Sequence, residues 1–413
     1  MDIVIIAQYL RDITDFSDNN SRFVYLAKML CQNQEHQVEI ITSDFEHGTK
    51  SHFKQYGELP GVTLTVLHES GYPTNICLRR FASHAELARN VREYLDERRR
   101  PDVVYAAIPS LDVANAAAAY CDMNDVRFIV DIQDLWPEAF RLKFDVPYVS
   151  DAVFLPFQRT ADAVYRQADE IIAVSDTYAE RGMSVNYKCE KSHTVFLGTD
   201  FSDFDRYKAE YQVEKPEREL WIGYVGTLGA SYDITCVSHA IRILNEDPEA
   251  MQFLNRLGYD RIVFQVMGDG PQREEFEEDA RSCGIDHHFT GTLPYPEMVG
   301  RLCCCDAAVN PINHGAAQSI INKVGDYAAA GLSVFNTLEN REYRALIKQY
   351  QCGFNCKAND AESVAKAIKK WMSYDRRVQK QVGRNSRRLG EERFDRRHTY
   401  QEIVDLILAD PAM

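Results

Sequence analysis

The sequence predicts an α/β protein with two doubly wound, parallel-sheet domains. Strand-length apolar runs alternate with segments of helical periodicity along the chain, which is the pattern of parallel βαβ units rather than of hairpins. The alternation stops once, after Gly198, and starts again at Trp221. A chain of 413 residues is long enough for two such domains, each with its own core.

The first domain is predicted over residues 1–200. Residues 78–100 form its clearest helix, because apolar side chains there recur at helical spacing: Leu78, Phe81, Ala85, Ala88, Val91 and Leu95. Its strand candidates are DIVIIAQ from Asp2, VEIITS from Val38, VTLTVLH from Val62, DVVYAA from Asp102, RFIVDI from Arg127, EIIAVS from Glu170 and HTVFLG from His193.

Residues 201–219 are predicted to be an interdomain linker, because they are acidic, contain proline and lack periodicity. The second domain follows over residues 220–394, and residues 395–413 are expected to form a helix that packs back on the first domain. Ligands of such folds bind at the carboxyl ends of strands and between domains, so the site is expected in an interdomain cleft. The strand candidates of the second domain are WIGYVG, IVFQVMG, HHFTG, DAAVNP, SVFNT and GFNC.

Composition and charge exclude several classes of protein. The net charge of −15 argues against a general nucleic-acid surface, and no apolar run reaches the length of about 20 residues that a membrane span needs. The N-terminus lacks the basic and long apolar regions of a secretory signal, and the eleven cysteines form no CxxC pair. We therefore expect a cytoplasmic protein with reduced thiols.

Two common nucleotide-binding motifs are missing. The first strand is not followed by G-x-G-x-x-G, and no Walker loop is present, so a simple dehydrogenase and a P-loop enzyme are both disfavoured. Glycine-rich loops follow three strands of the second half instead: YVGTLGAS with Gly226 and Gly229, VMGDGP with Gly268, and FTGTLP with Gly291. Glycine lets a backbone approach a ligand closely.

In their order and spacing, these loops and the segment QSIINKVGDYAAAGLSVFNT from Gln318 resemble the nucleotide-sugar half of GT-B glycosyltransferases, in particular glycosyltransferase family 4. The resemblance runs through essentially the whole chain and implies two Rossmann-like domains. In the family, two glutamates eight positions apart bind the donor sugar and the ribose. Gln318 and Asp326 stand at those positions, and an amide and a carboxylate can both hydrogen-bond hydroxyls.

The resemblance also implies how the leaving diphosphate is bound. The family commonly supplies an arginine and a lysine after the first strand of this half, where this chain has Thr227 and Tyr232. Lys323 is the candidate substitute, supported by backbone N–H groups near Gln318. An exposed helix lysine is the alternative interpretation. The resemblance further implies that the donor contacts Thr227, Ser319 and Asn322.

In the first half, VDIQDLWPEAF from Val130 is similar to the family segment that faces the sugars. Asp134 is the candidate for a catalytic group near the acceptor, against a capping or structural aspartate. Asp131 and Gln133 share its loop. NNSR, with Asn20 and Arg22, resembles the family's first loop, which approaches the diphosphate and the acceptor.

No metal and no other cofactor is expected. Asp203-Phe204-Asp205 fits the D-x-D pattern that holds a divalent ion on a diphosphate in another transferase fold. It lies in the predicted linker, away from any strand end, so we interpret it as solvated. His84, on the long helix, is interpreted as a surface or packed histidine rather than a catalytic one.

The resemblance implies a retaining glycosyltransferase that uses a UDP- or GDP-sugar and a saccharide acceptor, lipid-linked, in bacterial surface polysaccharide synthesis. Peripheral contact with the inner face of the membrane follows, and the arginines of residues 78–100 are candidates for lipid phosphate. Two alternatives stay open: a nucleotide-sugar epimerase of the same fold, and a donor-binding scaffold subunit, which the replaced family residues motivate.

Overall fold

The computed structural model describes residues 1–16, 21–32, 35–75, 77–138, 149–316 and 320–409. The chain divides into two compact units. The first contains Met1–Phe196 together with the chain from Tyr400 on, and the second contains Leu197–Thr399.

The first unit is built on a seven-stranded parallel sheet with the order β5-β2-β1-β6-β7-β8-β9. The strands of the first unit, which include the separate β3–β4 hairpin, are β1 (Asp2–Ile6), β2 (Gln37–Ser43), β3 (Phe45–Glu46), β4 (Ser51–His52), β5 (Val62–Leu67), β6 (Val103–Ile108), β7 (Arg127–Ile132), β8 (Glu170–Ala173) and β9 (Ser192–Thr194). Its helices are α1 (Arg22–Leu30), α2 (Leu78–Glu97), α3 (Leu111–Asn124), α4 (Val149–Gln167) and α5 (Asp176–Met183). All seven strand predictions are confirmed, and the described residues add the short β3–β4 hairpin, which was not predicted.

Helix α2 is present as predicted, but its buried face differs from the predicted one in its first half. Leu78 is 86% exposed and Ala85 is exposed, whereas Arg80, Ser83 and His84 are buried. The reason is that this half of the helix packs on polar and aromatic side chains rather than on the apolar core. The C-terminal half, with Leu87, Ala88, Val91 and Leu95 buried, follows the predicted pattern.

The second unit is built on a six-stranded parallel sheet with the order β12-β11-β10-β13-β14-β15. Its strands are β10 (Glu219–Val225), β11 (Arg261–Met267), β12 (Asp286–Gly291), β13 (Ala307–Asn310), β14 (Ser333–Asn336) and β15 (Gly353–Asn355), all six as predicted. Its helices are α6 (Phe201–Glu210), α7 (Ile234–Asn245), α8 (Pro248–Arg256), α9 (Arg273–Ser282), α10 (Tyr295–Cys303), α11 (Lys323–Ala329), α12 (Arg341–Tyr350), α13 (Ala361–Ser373) and α14 (Arg376–Arg393). The last helix, α15 (Arg396–Leu408), continues into the first unit.

Helix α6 stands where an irregular linker was expected. Asp200 caps it by accepting hydrogen bonds from the backbone N–H groups of Ser202 and Asp203, and Phe201 and Phe204 are fully buried in the core of the second unit. Asp205 is not simply solvated, because its carboxylate pairs with Arg387 at 2.7 Å. Two apolar residues one turn apart are too few to show helical periodicity in the sequence.

The seven-stranded and the six-stranded sheet each pack against apolar cores. Strand β1 is buried at all five positions, as expected for a parallel strand covered on both faces. Within the described part of the chain, every helix is too short or too polar to span a bilayer.

Candidate functional site

The glycine-rich loops of the second unit meet one another at the carboxyl ends of β10, β11 and β12. The Gly226 N–H donates to the Met267 carbonyl at 3.0 Å, and Gly268 forms a bridge with Gly291. Gly268 has a φ of +153°, and a Cβ placed on it would lie 1.9 Å from the Gly226 carbonyl oxygen. Glycine is therefore required at position 268 by the neighbouring loop, and not by the approach of a ligand that the glycine-rich sequence predicted.

The outer part of the first loop is open. Thr227 is exposed, and its carbonyl accepts a 2.7 Å hydrogen bond from the Tyr224 hydroxyl. A Cβ on Gly229 would meet a single side-chain atom, at 3.9 Å. The backbone around these two residues is consequently accessible to a ligand.

Lys323 lies directly beneath this loop, as the first residue of α11. Its ammonium is 4.1 Å from the centroid of the Tyr224 ring and 4.0 Å from that of Tyr232, and a Cβ on Gly226 would lie 2.8 Å from it. The residue is only 7% exposed, and Nζ has no hydrogen-bond partner among the described residues. Burial lowers the pKa of this ammonium well below its usual value.

Asp326 lies one turn further along α11. Its Oδ1 accepts hydrogen bonds from the Thr199 and Tyr295 hydroxyls, each at 2.8 Å. Burial raises its pKa, and the two hydroxyls and Arg396 act in the opposite direction. Asn322 is exposed at the start of the helix. Gln318 and Ser319 lie outside the described residues.

In the first unit, Arg22 and Asp131 form a buried ion pair. The Arg22 Nε donates to Asp131 at 2.8 Å, and Tyr105 and Gln133 also donate to this carboxylate, at 2.7 and 3.0 Å. The guanidinium further donates to the carbonyls of Val195 and Phe196. Both charged groups are thus saturated by protein partners, which favours a role in holding the loop. Asn20 lies outside the described residues.

Asp134 follows the same strand and is only half-buried. Its Oδ2 accepts a 3.3 Å hydrogen bond from the Trp136 indole. Burial is the main cause that raises its pKa. Asp134 is thus a partly exposed carboxylate with an aromatic neighbour.

A group of residues that was not predicted from the sequence surrounds Trp136. We call it the aromatic-cation cluster, and its members are Tyr9, His47, Lys50, Tyr72, Arg80, His84 and Trp136. His84 stacks on Trp136 with ring centroids 5.8 Å apart, and the Arg80 guanidinium lies 4.6 Å from the Trp136 centroid. Arg80 and His84 are four residues apart on α2 and His47 and Lys50 share the β3–β4 turn, whereas Tyr9, Tyr72 and Trp136 come from three further loops.

His84 is packed, in agreement with its interpretation from sequence. Its Nε2 lies 3.0 Å from the Tyr9 hydroxyl, and burial and then Arg80 lower its pKa to about 3. Because the folded-state pKa lies below the ordinary value of 6.5, the unfolded chain binds the proton more tightly. The stability that this residue contributes is therefore present above about pH 6.5 and is lost as the pH falls.

We expect wild type to lose about 2 kcal/mol more stability between about pH 7 and pH 5 than a His84→Gln variant, as measured by urea denaturation. His68→Gln is the matched control, because the Asp44 hydrogen bond raises the pKa of His68 and gives the opposite sign. Equal pH dependence of wild type and His84→Gln would contradict the assignment.

Each of the two units matches a known family model. A family model described as “Glycosyl transferase 4-like domain” matches residues 21–184, and one described as “Glycosyl transferases group 1” matches residues 205–389. No curated protein has a sequence that matches this chain.

Solved glycosyltransferase structures share the fold along nearly the whole chain. HepE of Anabaena, in complex with UDP and glucose, is 13% identical with a TM-score of 0.64, over 98% of this chain and 99% of that one. WaaG, involved in lipopolysaccharide biosynthesis, is 13% identical with a TM-score of 0.64, over 99% and 100%. Sucrose-phosphate synthase of Thermosynechococcus elongatus is 13% identical with a TM-score of 0.68, over 98% of each chain.

The two wound units and the two matched domains define a glycosyltransferase of the GT-B fold. Within that class, the chain belongs to the glycosyltransferase family 4 type.

Proposed function

We propose that the enzyme is a retaining glycosyltransferase that moves a sugar from a UDP- or GDP-sugar to a hydroxyl of a lipid-linked saccharide in bacterial surface polysaccharide synthesis. The observation that carries the donor assignment is Lys323, a buried ammonium beneath the Gly226 loop that no described residue pairs with. A nucleoside diphosphate would supply the missing negative charge. The complex of HepE with UDP and glucose and the role of WaaG in lipopolysaccharide biosynthesis support the proposal.

Each group has a task in this reaction. The bond from the anomeric carbon to the diphosphate breaks, a bond to the acceptor oxygen forms, and the hydroxyl proton leaves with the diphosphate. Lys323 and the N–H groups of the open loop stabilise the charge that develops on the leaving group. Asp134 accepts a hydrogen bond from the acceptor hydroxyl and orients it.

We assign binding or positioning roles to the other residues that were predicted from the sequence. Both described hydrogen bonds to the Asp326 carboxylate fall on Oδ1, so we assign Oδ2 to the ribose hydroxyls. Gln318 is assigned to the donor sugar by resemblance. Arg22 and Asp131 hold the loop that carries Gln133 and Asp134. We propose no metal for any step.

A cytoplasmic location at the inner membrane face is part of the proposal, with a corrected contact surface. Arg80 and Arg98 of the 78–100 segment are not available to lipid, because Arg80 is buried and Arg98 pairs with Asp2 and Glu39. The exposed cations of that segment are Arg79, Arg89, Arg99 and Arg100. Liposome sedimentation at low and high salt tests this surface.

The donor class is tested by thermal stability against UDP, GDP, ADP, TDP and their common sugars. A ligand at about 100 times its Kd stabilises by about 2.7 kcal/mol, which is several degrees for domains of this size. We expect a shift with UDP or GDP compounds, followed by release of free nucleoside diphosphate when acceptor is added. A new nucleotide sugar as the product would indicate the epimerase, and binding without turnover would indicate the scaffold subunit.

A further inference from the structure

The aromatic-cation cluster carries positive charge that the described carboxylates do not pair with. Lys50 Nζ and the Arg80 guanidinium lie 5.0 and 5.4 Å from the Tyr72 ring centroid. Their hydrogen bonds to described residues go to neutral groups: Lys50 to the His47 carbonyl, and Arg80 to the Asn75 carbonyl and the Tyr9 hydroxyl. Two cations are thus held close together on one aromatic ring.

Glu69 lies in the same region, but its carboxylate is occupied by neutral donors. It accepts hydrogen bonds from the Gln8 amide at 3.0 Å, the Ser43 hydroxyl at 2.7 Å and the Ser83 hydroxyl at 2.8 Å, and it is 1% exposed. The surplus of cations affects its neighbours: burial, and then the charges of Lys50, Arg80 and Arg11, lower the pKa of His47 to about 4.

Two buried nitrogen atoms of the cluster have no hydrogen-bond partner among the described residues. They are Arg80 Nε, in a side chain that is 7% exposed, and His84 Nδ1, in one that is fully buried. An unpaired buried polar atom costs about 1–3 kcal/mol, so such atoms mark places where a partner is missing. The rings of Tyr9, Tyr72 and Trp136 supply apolar faces beside them.

We propose that the cluster binds an oxyanion, phosphate or carboxylate, that the acceptor carries beside its reacting hydroxyl. The hydrogen bond between Trp136 and Asp134 places this subsite next to the carboxylate assigned to that hydroxyl. The inference rests on the proposed function and names the acceptor class: a saccharide with a negatively charged substituent. Cations that lack a carboxylate bind such a group because it completes their charge pairing.

The test is calorimetric titration with four probes in saturating UDP, which occupies the donor unit: inorganic phosphate, geranyl phosphate, glucuronate and neutral glucose. Lys50→Gln and Arg80→Gln each remove one of the two cations proposed to bind the oxyanion. Lys54→Gln and Arg79→Gln are matched controls, because these cations lie nearby in the sequence and are exposed. Lys50 is only half-buried, so its variant keeps the test valid if Arg80→Gln does not fold.

We expect at least one anion to bind wild type and both controls with equal affinity. The same anion is expected to bind Lys50→Gln and Arg80→Gln at least ten-fold more weakly. Glucose is expected to show no such difference between the variants. Tighter binding of geranyl phosphate than of phosphate indicates a lipid-linked acceptor, equal binding a soluble phosphate, and preference for glucuronate an acidic sugar. Equal anion affinity in all variants, or no anion binding, overturns the inference. UDP binding is measured separately by thermal shift, and its absence contradicts the proposed function instead.

Discussion

Replacing Gly268 by alanine is expected to lower the free energy of unfolding of the second unit by about 4 kcal/mol and to abolish nucleotide binding. The new Cβ would lie 1.9 Å from the Gly226 carbonyl oxygen, and this atom belongs to a backbone that is itself bonded to Met267. The backbone cannot swing aside as a side chain can, so the ends of β10 and β11 must separate. Urea denaturation and UDP titration measure the two effects.

Gly258→Ala is the matched control, since Gly258 also has a positive φ, of +87°, but a Cβ placed on it would meet no described atom within 4 Å. The Gly258→Ala variant is expected to lose only the free energy of unfolding that its backbone conformation costs, about 1–2 kcal/mol, and to leave UDP binding unchanged. Similar losses in the two variants would mean that contact between the loops is unimportant.

Replacing Lys323 by methionine is expected to have two opposite effects. Without ligand the variant is more stable than wild type near pH 7, because a buried ammonium that no described residue pairs with is replaced by a side chain that packs against Tyr224 and Tyr232. With UDP the affinity falls by about 10- to 100-fold, the range for a lost hydrogen bond to a charged group. Thermal melts with and without UDP measure both effects.

The pH dependence gives a second readout for Lys323. Its folded-state pKa lies below the ordinary value of 10.5, so the unfolded chain binds the proton more tightly. Wild type therefore gains stability as the pH rises toward 10.5, and the variant lacks this gain. Lys357→Met, at an exposed position of the same unit, is the control for lost charge alone. An unchanged UDP affinity in Lys323→Met would contradict the donor site.

The strands could be predicted from the sequence because the sheets are parallel and covered on both faces. A strand such as β1, buried at every position, is a continuous apolar run that the chain shows directly. Helix α6 could not be predicted in this way, because its attachment depends on Phe201 and Phe204 and its start on a cap at Asp200. Such a short helix is stabilised by tertiary contacts rather than by its own pattern.

The candidate site likewise contains residues that could be identified from the sequence and residues that could not. Lys323 could be identified because a family resemblance placed a cation near the diphosphate, although its burial between two tyrosine rings is a property of the fold. The aromatic-cation cluster could not be identified, because Tyr9, Tyr72 and Trp136 are far apart in the chain and approach one another only when the strands pair. The Arg22–Asp131 ion pair likewise joins positions 109 residues apart.

The position of helix α15 in the core of the first unit has a consequence for how the protein is synthesised. Tyr400, Ile403, Val404 and Ile407 belong to the core of the first unit, and the Tyr400 ring lies 4.9 Å from the Arg22 guanidinium. A nascent chain that has just emerged through Phe196 therefore lacks part of the core that its first half needs. Completion of this unit waits until the ribosome has translated the second one, so helix α15 is added late in folding. A stop codon placed before Tyr400 would therefore damage the half that was made first.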